Sequence, residues 1–158
     1  MLNKYCKCGC FDSFKNQDAD FIKEFEHWIL YLHFHQYFFG RCLLILKKHK
    51  TAFSQLTNIE LNEAAKIHKA WLKAIIKLTK KAHYSTTLTI SNTESHIHNN
   101  HLHWHFIPRY ENKVVFENIN FNYDNKKQRM QHYNKIEIKQ ETNTNLRKKI
   151  AHAIKIRL

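Results

Sequence analysis

The residues best suited to chemistry lie in one short run, where every second residue from His101 to His105 is a histidine. At the two-residue period of a β-strand, the three histidines share one face, while Leu102, Trp104 and Phe106 share the other and can enter a core. Neighbouring imidazoles would lie about 6–7 Å apart and the outer two roughly 13 Å apart. One metal ion would not reach all three without bending the strand, so we expect three histidines with three different roles.

Histidine is the side chain that is substantially neutral, and therefore nucleophilic, near pH 7. An imidazole nitrogen that attacks phosphorus needs its other ring nitrogen held by an acceptor, so that the free lone pair faces the phosphorus. It also needs hydrogen-bond donors at the non-bridging oxygens, where negative charge gathers. A row of histidines on one strand face offers both kinds of group. Pro108 lacks a backbone donor and is expected to end this strand.

The sequence HLHWHFIPRY at 101–110 resembles the signature of the histidine-triad family of nucleotide hydrolases and transferases, and especially its bacterial branch of diadenosine-polyphosphate-type hydrolases. A second segment, 40–49, is similar to the family strand that ends in Lys-Lys-His or Lys-Arg-His. Together with the helix between the two segments, the resemblance covers about residues 24–110. It implies an α+β fold and a two-fold homodimer that joins two sheets.

The resemblance also implies roles for four histidines. His103, in the middle of the triad, would be the nucleophile and would form a histidine–nucleotidyl intermediate. His105 would hydrogen bond beside the phosphate, and His101 would fix the network behind the nucleophile. His49 would donate to the phosphates or to the leaving group. The substrate would be a nucleotide ester, a phosphoramidate or a dinucleoside polyphosphate; no cofactor is required, although a divalent cation is compatible with such a substrate.

Further polar residues are candidates for substrate binding. Asn92 resembles the family residue that touches the phosphate. The loop before the triad departs from the Gly-rich sequence of many family members, and side chains in it would have to replace those contacts. Within 33–36, where the family carries an acidic residue for the ribose hydroxyls, an amide stands instead. The substrate-binding candidates are Asn92, Ser95, His98, Asn100 and Gln36.

Two other classes of function stay open from the sequence. A metal-binding protein is one, because His96 and His98 add to the triad, and imidazole suits zinc, copper and nickel. Thiolates at Cys6, Cys8 and Cys10 are also spaced to hold zinc or copper(I), although no second Cys or His pair completes the usual zinc motif and free cytosolic thiols are the plainer interpretation. A catalytically idle module that binds RNA is the other class.

Local patterns predict the secondary structure. Thr57 and Glu60 form the capping box of a long helix at about 57–82, whose apolar residues recur at three- and four-residue steps. A basic amphipathic helix is expected at 146–158, docked against the domain. Val114–Phe116 is expected to extend a sheet edge, and 118–125 to form a loop. The predicted strands are 21–26, 28–34, 42–46, 86–90 and the histidine run. The fold class is therefore α+β, with an antiparallel sheet of about five strands, one long helix and a C-terminal helix.

The chain has 158 residues and a formal net charge of +13. Its length predicts one domain, 19–110, with a lead-in at 1–18 and an extension at 111–158. The charge favours anionic partners such as nucleotides, nucleic acid or an acidic membrane surface, or else a solvated basic surface. No apolar run approaches the roughly 20 residues of a membrane span, and no secretory signal is evident. We therefore expect a cytoplasmic protein.

Overall fold

The computed structural model of the chain describes residues 20–36, 38–80, 82–90, 101–110, 113–121 and 143–158, with the backbone alone described for 82–90. Five antiparallel strands form the main sheet, in the spatial order β1-β2-β3-β5-β4. The strands are β1 (Phe21–Glu24), β2 (Trp28–Leu32), β3 (Cys42–Leu46), β4 (Ala82–Ile90) and β5 (His103–Tyr110). The predicted α+β class and the five-stranded sheet are confirmed, and β5, with the histidines, lies between β3 and β4.

One long helix, α1 (Asn58–Thr79), begins at the predicted capping box. The Thr57 hydroxyl accepts from the backbone N–H of Glu60 over 3.3 Å, and the Glu60 carboxylate accepts from the N–H of Thr57 over 2.7 Å. Lys50 adds an ion pair to the same carboxylate at 2.5 Å. These contacts use donors that a helix N-terminus otherwise leaves unpaired. The helix ends at Lys80, which is in the left-handed region with φ of 56°.

The core lies between α1 and one face of the sheet. Trp71 of α1 packs on Phe106 of β5 with ring centroids 5.1 Å apart, and both side chains are fully buried. Trp28 of β2 is also fully buried and donates its indole N–H to the carbonyl of Glu60 over 2.9 Å. Aromatic side chains bury large apolar areas, and each such burial stabilises the fold by about 1.5–3 kcal/mol. This packing fixes which face of β5 remains for the histidines.

A tight turn at Gly40 precedes β3. Gly40 has a φ of +80°, and a Cβ atom there would overlap Cδ1 of Ile75 in α1. Its carbonyl accepts from the indole N–H of Trp71 over 3.2 Å and from the Cys42 thiol over 3.3 Å. Glycine is favoured because other residues rarely adopt this φ, and a Cβ atom would displace the end of the Ile75 side chain. The turn therefore sets where the next residue, Arg41, enters the sheet.

The expected end of the histidine strand at Pro108 is wrong, because β5 continues to Tyr110. The pairing of β5 with β3 stops where Phe106 lies opposite Cys42. The pairing of β5 with β4 continues further, and there Pro108 lies opposite Ser85. Beyond Phe106 one side of β5 is thus an edge, and an edge tolerates a residue without an N–H group.

The segment after β5 also differs from expectation. Val114–Phe116 (β6) does not extend the main sheet; it pairs with β7 (Ile119–Phe121) in a separate two-stranded sheet. Part of the predicted 118–125 loop is therefore a strand. Glu117 and Asn118, at the turn between the two strands, have φ values of 51° and 60°. Paired left-handed residues are typical of a tight hairpin turn, which explains why these strands pair with each other.

The C-terminal helix, α2 (Thr144–Lys155), confirms the expected terminal helix and its docking. Ile150, Ala151 and Ile154 are buried in the main core. Arg147 forms a buried ion pair with Asp20, just before β1, at 2.7 Å. Of the helices in the described parts of the chain, none is both long and apolar enough to cross a lipid bilayer.

Candidate active site

Strand β5 presents its two faces as its alternation predicts. Trp104 and Phe106 face α1, where Phe106 contacts the His68 ring at 4.6 Å between centroids. His103 and His105 lie on the other face, opposite Ile45 and Leu43 of β3 respectively. Both histidines are partly exposed. The face of the sheet away from α1 is therefore where these imidazoles can meet a ligand.

The ring of His103 is oriented by the backbone of its neighbour. Its Nδ1 lies 2.9 Å from the carbonyl oxygen of His101. A carbonyl oxygen only accepts hydrogen bonds, so Nδ1 carries the proton and donates it. In the neutral ring, the lone pair is then on the other nitrogen, Nε2. This is the tautomer that a nucleophilic imidazole requires.

His101 lies just before β5 and is 3% exposed. Its Nε2 is 2.5 Å from the carbonyl oxygen of Leu46, at the end of β3, and donates to it. The neighbouring backbone is also tied, since the N–H of Leu102 donates to the carbonyl of Lys50 over 2.8 Å. Burial lowers the pKa of His101, and the neighbouring His49 and His103 lower it further, against the opposite effect of the Leu46 hydrogen bond. The His101 side chain thus holds the carbonyl that orients His103.

His49 follows β3 and is exposed. Its ring centroid is 5.5 Å from that of His101, with the two rings tilted by 59°. The structure thus brings all four predicted histidines to one region, at the end of β3 and the start of β5. Each has different surroundings, as the spacing of the triad led us to expect.

His105 is held by a residue that the sequence analysis assigned no role. Nη2 of Arg41 lies 3.0 Å from Nδ1 of His105. Burial, followed by electrostatic interactions with Arg41 and His103, lowers the pKa of His105 to about 3. The ring of His105 is 5.1 Å from that of His103 between centroids. At neutral pH, His105 is therefore an uncharged ring next to the candidate nucleophile.

His33 is a second residue that the sequence analysis did not assign. It is 7% exposed, and its ring centroid is 5.8 Å from that of His105. Burial lowers its pKa well below the usual value, helped by Arg41 and by His105. The sequence held one signal for the cluster of Arg41, His33 and His105. Arg41 is a charged residue that directly precedes the buried apolar run Cys42–Leu46.

Gln36 is buried in the turn before β3 rather than placed beside the histidines. It is 2% exposed. Its amide nitrogen donates to the carbonyls of His33 and Arg41 at 2.6 and 2.9 Å, and its amide oxygen accepts from the N–H of Gly40 at 2.7 Å. These bonds tie both ends of the amide to the backbone of the turn. These contacts give Gln36 a structural role in the turn, and its predicted substrate contact stays a prediction.

The other candidates fall outside the described residues: Asn92, Ser95, His98 and Asn100 for substrate binding, and Cys6, Cys8 and Cys10 for metal binding. Within the residues that are described, no three His, Cys, Asp or Glu side chains come close enough to hold a metal ion. In the triad, one nitrogen of each ring already has a protein partner.

The fold is similar to those of several solved structures. One is a hypothetical histidine triad nucleotide-binding protein from Sulfolobus tokodaii, with 21% identity, a TM-score of 0.64, and coverage of 94% of this chain and 89% of that one. A Hit-like protein involved in cell-cycle regulation from Bartonella henselae has 22% identity and a TM-score of 0.60, with 88% and 86% covered. The diadenosine triphosphate hydrolase of Plasmodium falciparum has 14% identity and a TM-score of 0.60, with 88% and 76% covered.

At these identities the structural comparisons establish the fold alone. No curated protein matches the sequence closely enough to count as a relative. The family model described as the HIT domain, however, matches residues 15–112, which is more than half of the 158 residues and includes β1 to β5, α1 and the three histidines. Sequence match, fold and the arrangement of the histidines agree, and the chain belongs to the HIT domain family.

Proposed function

We propose that this protein is a nucleotidyl hydrolase or transferase in which Nε2 of His103 attacks the α-phosphate of a nucleotide substrate. The observation that carries the proposal is the hydrogen bond from Nδ1 of His103 to the His101 carbonyl, at 2.9 Å. In the neutral form of this partly exposed ring, it places the lone pair on Nε2. Membership of the HIT domain family supports the proposal, because that family includes nucleotide hydrolases and transferases.

The reaction has two steps. In the first, the Nε2 lone pair of His103 forms a P–N bond while the bond from the α-phosphorus to the leaving group breaks, and the leaving group departs with the bonding electron pair. In the second, water or another acceptor forms a P–O bond, the P–N bond breaks, and its electron pair returns to Nε2. The acceptor's proton is released to solvent or to a neighbouring base. Splitting a displacement into two steps through a covalent intermediate is the general advantage of a nucleophilic side chain.

The negative charge that gathers on the non-bridging oxygens of the phosphate needs hydrogen-bond donors held in fixed positions. His105 is neutral and accepts at Nδ1 from Arg41, so its proton is on Nε2, where it can donate to a phosphate oxygen. Arg41 adds a positive charge behind that ring. Donors and charges held in place by the protein stabilise the transition state without having to reorganise during the reaction.

The proposed substrate is a dinucleoside polyphosphate, a nucleotide phosphoramidate or a nucleotide ester. The fold similarity to the diadenosine triphosphate hydrolase of Plasmodium supports the first of these as the substrate to try first. We also propose that the chain forms a homodimer. β4, the longest strand of the main sheet, lies at its edge, and long edge strands are usually covered or paired.

The test is intact-protein mass spectrometry after brief exposure to diadenosine triphosphate and, separately, to an adenosine phosphoramidate, each with and without Mg²⁺. The expected result is a mass increase of one nucleoside monophosphate that is lost on acid treatment, because P–N bonds are acid-labile. Peptide mapping under alkaline conditions should place the adduct on His103.

The matched variants are His103→Ala and His152→Ala, the second removing an exposed histidine of α2. His103→Ala should form no adduct and turn over no substrate while keeping its circular dichroism spectrum, and His152→Ala should behave as the parent. Turnover by His103→Ala at the parent rate would show that the nucleophile is assigned wrongly.

A further inference from the structure

Arg41 has an unusual environment for an arginine. It enters the sheet directly after the Gly40 turn and is largely shielded from solvent, and its Nε atom is buried without a hydrogen-bond partner. Among the ion pairs of the described residues, none involves Arg41. Burial and the charge of Arg109 lower its pKa to about 10, which still leaves it charged at neutral pH. Buried charges without a counter-ion are costly and seldom kept without a function.

In its contact with His105, Arg41 can only donate a hydrogen bond. Its Nη2 lies 3.0 Å from Nδ1 of His105. A guanidinium only donates, whereas either nitrogen of a neutral imidazole can donate or accept. Nδ1 of His105 must therefore accept, and the ring proton must be on Nε2. An apolar side chain at position 41 would not impose this choice, and a side chain that only accepts would impose the opposite tautomer.

We propose that Arg41 is a positioning residue that locks His105 in the Nε2–H tautomer, so that a donor is always present beside His103 when the phosphate arrives. The proposal rests on the proposed function and goes beyond it, because it gives a specific role to a residue outside the triad. Arg41 acts through His105 and through its charge.

The same charge supports the lock in a second way. Three imidazoles crowd one corner of the sheet, with the ring of His33 5.8 Å from those of both His35 and His105. Nδ1 of His33 lies 3.1 Å from the backbone nitrogen of His35 and 3.3 Å from its carbonyl oxygen. A permanent cation beside them disfavours protonation of His33 and His105. With His105 unprotonated at Nδ1, the hydrogen bond from Arg41 persists over the whole neutral range.

The test uses protein labelled with ¹⁵N at histidine, and long-range ¹H–¹⁵N spectra that distinguish protonated from unprotonated ring nitrogens. In the parent, His105 should show an unprotonated Nδ1 and a protonated Nε2. Arg41→Met removes donor and charge at similar length, and should give a mixture of tautomers. Arg41→Lys restores a donor and a charge, and should return His105 to the parent tautomer. Arg109→Met is the matched control; it removes a neighbouring guanidinium that lies over the Phe38 ring, 4.7 Å from its centroid.

The rate of adduct formation on His103 is then measured for the same proteins. Arg41→Met should slow it by about 10²-fold, the usual effect of losing one fixed donor, and Arg41→Lys should recover most of that loss. The Met variant should fold, because replacing a buried unpaired charge with an apolar side chain relieves a desolvation cost. Thermal unfolding of each variant provides the check.

Two results would overturn the proposal: a His105 tautomer that is unchanged in Arg41→Met, or a changed tautomer with an unchanged rate of adduct formation. Absence of any adduct in the parent would instead contradict the proposed function. The spectra would still decide whether Arg41 sets the tautomer, so the two failures can be told apart.

Discussion

The carbonyl oxygen of His101 accepts the Nδ1 proton of His103 over 2.9 Å, so the backbone of the first triad histidine orients the ring of the second. The side chain of His101 has a separate task, because its Nε2 is bound to the carbonyl of Leu46 and fixes the chain at this point. Residue 101 therefore contributes one interaction that mutation cannot remove and another that it can.

This separation predicts unequal effects of two alanine substitutions. His101→Ala keeps the carbonyl acceptor but removes the side-chain hydrogen bond to the Leu46 carbonyl. His103 should therefore be positioned less well but keep its nucleophilic nitrogen. Small misplacements of reacting groups cost up to about 10²-fold in rate. Removing the nucleophile should cost at least about 10³-fold. The measurement is kcat for both variants with one substrate, alongside circular dichroism. An equal loss in both would show that the His101 side chain does more than hold the backbone.

A second prediction concerns the dependence of stability on pH. The pKa of His105 is lowered to about 3, first by burial and then by Arg41 and His103, and the ring of His33 also lies against it. Unfolded, a histidine has a pKa near 6.5. The unfolded state therefore binds the proton first, so the contribution of His105 to stability is complete above about pH 6.5 and is lost as the pH falls towards 3.

The expected slope is roughly 1.4 kcal/mol per pH unit for one such histidine below pH 6. Urea unfolding of the parent between pH 7.5 and 5 measures it. His105→Gln should flatten the slope, whereas His152→Gln, an exposed position on α2, should leave it unchanged. Parallel slopes for the parent and His105→Gln would mean that His105 titrates normally in the folded protein.

The parts of the fold that depend on local pattern were predictable from the sequence. The capping box at Thr57 marks the helix start because its two hydrogen bonds span only three residues. The continued strand at Pro108 was not predictable in this way, because it depends on where pairing with β3 stops. The β6–β7 hairpin was likewise missed, since Val114–Phe116 can pair with a sheet edge or with the next strand, and only the turn conformation decides.

The candidate site also has some features that local pattern predicts and others that depend on pairing between distant strands. The alternation of the triad predicts which face His103 and His105 occupy, because side-chain direction follows from strand period alone. The contact of Arg41 with His105 joins residues 64 positions apart and exists only through the pairing of β3 with β5. The role of Gln36 could not be assigned from the sequence, because a polar side chain in a loop can satisfy buried backbone groups as readily as it can bind a ligand.

The proposed homodimer gives a third prediction. β4 is a nine-residue strand at one edge of the main sheet, and in the described chain its only sheet partner is β5. Pairing or covering this edge in a second copy would use its free backbone groups. Light scattering during size exclusion, over a wide range of loading concentrations, should give twice the mass of the chain. A single-chain mass at every concentration would contradict the dimer.

The last prediction tests what holds α2 to the domain. Arg147 and Asp20 form an ion pair at 2.7 Å with side chains 8% and 0% exposed. Arg147→Met removes the cation beside the buried carboxylate of Asp20, and breaking such a pair costs roughly 3–5 kcal/mol. The matched control is Lys149→Met on the same helix, because its pair with Glu117 is exposed, at 59% and 46%, and should be worth no more than about 0.5 kcal/mol.

Urea denaturation of both variants measures the two free energies of unfolding. Adding Asp20→Asn to Arg147→Met should recover part of the loss, since it removes the buried negative charge. Equal small effects of Arg147→Met and Lys149→Met would mean that apolar contacts of Ile150 and Ile154, rather than the ion pair, hold the helix in place. The double variant separates a direct attraction from the cost of an unpaired buried charge, which a single substitution cannot do.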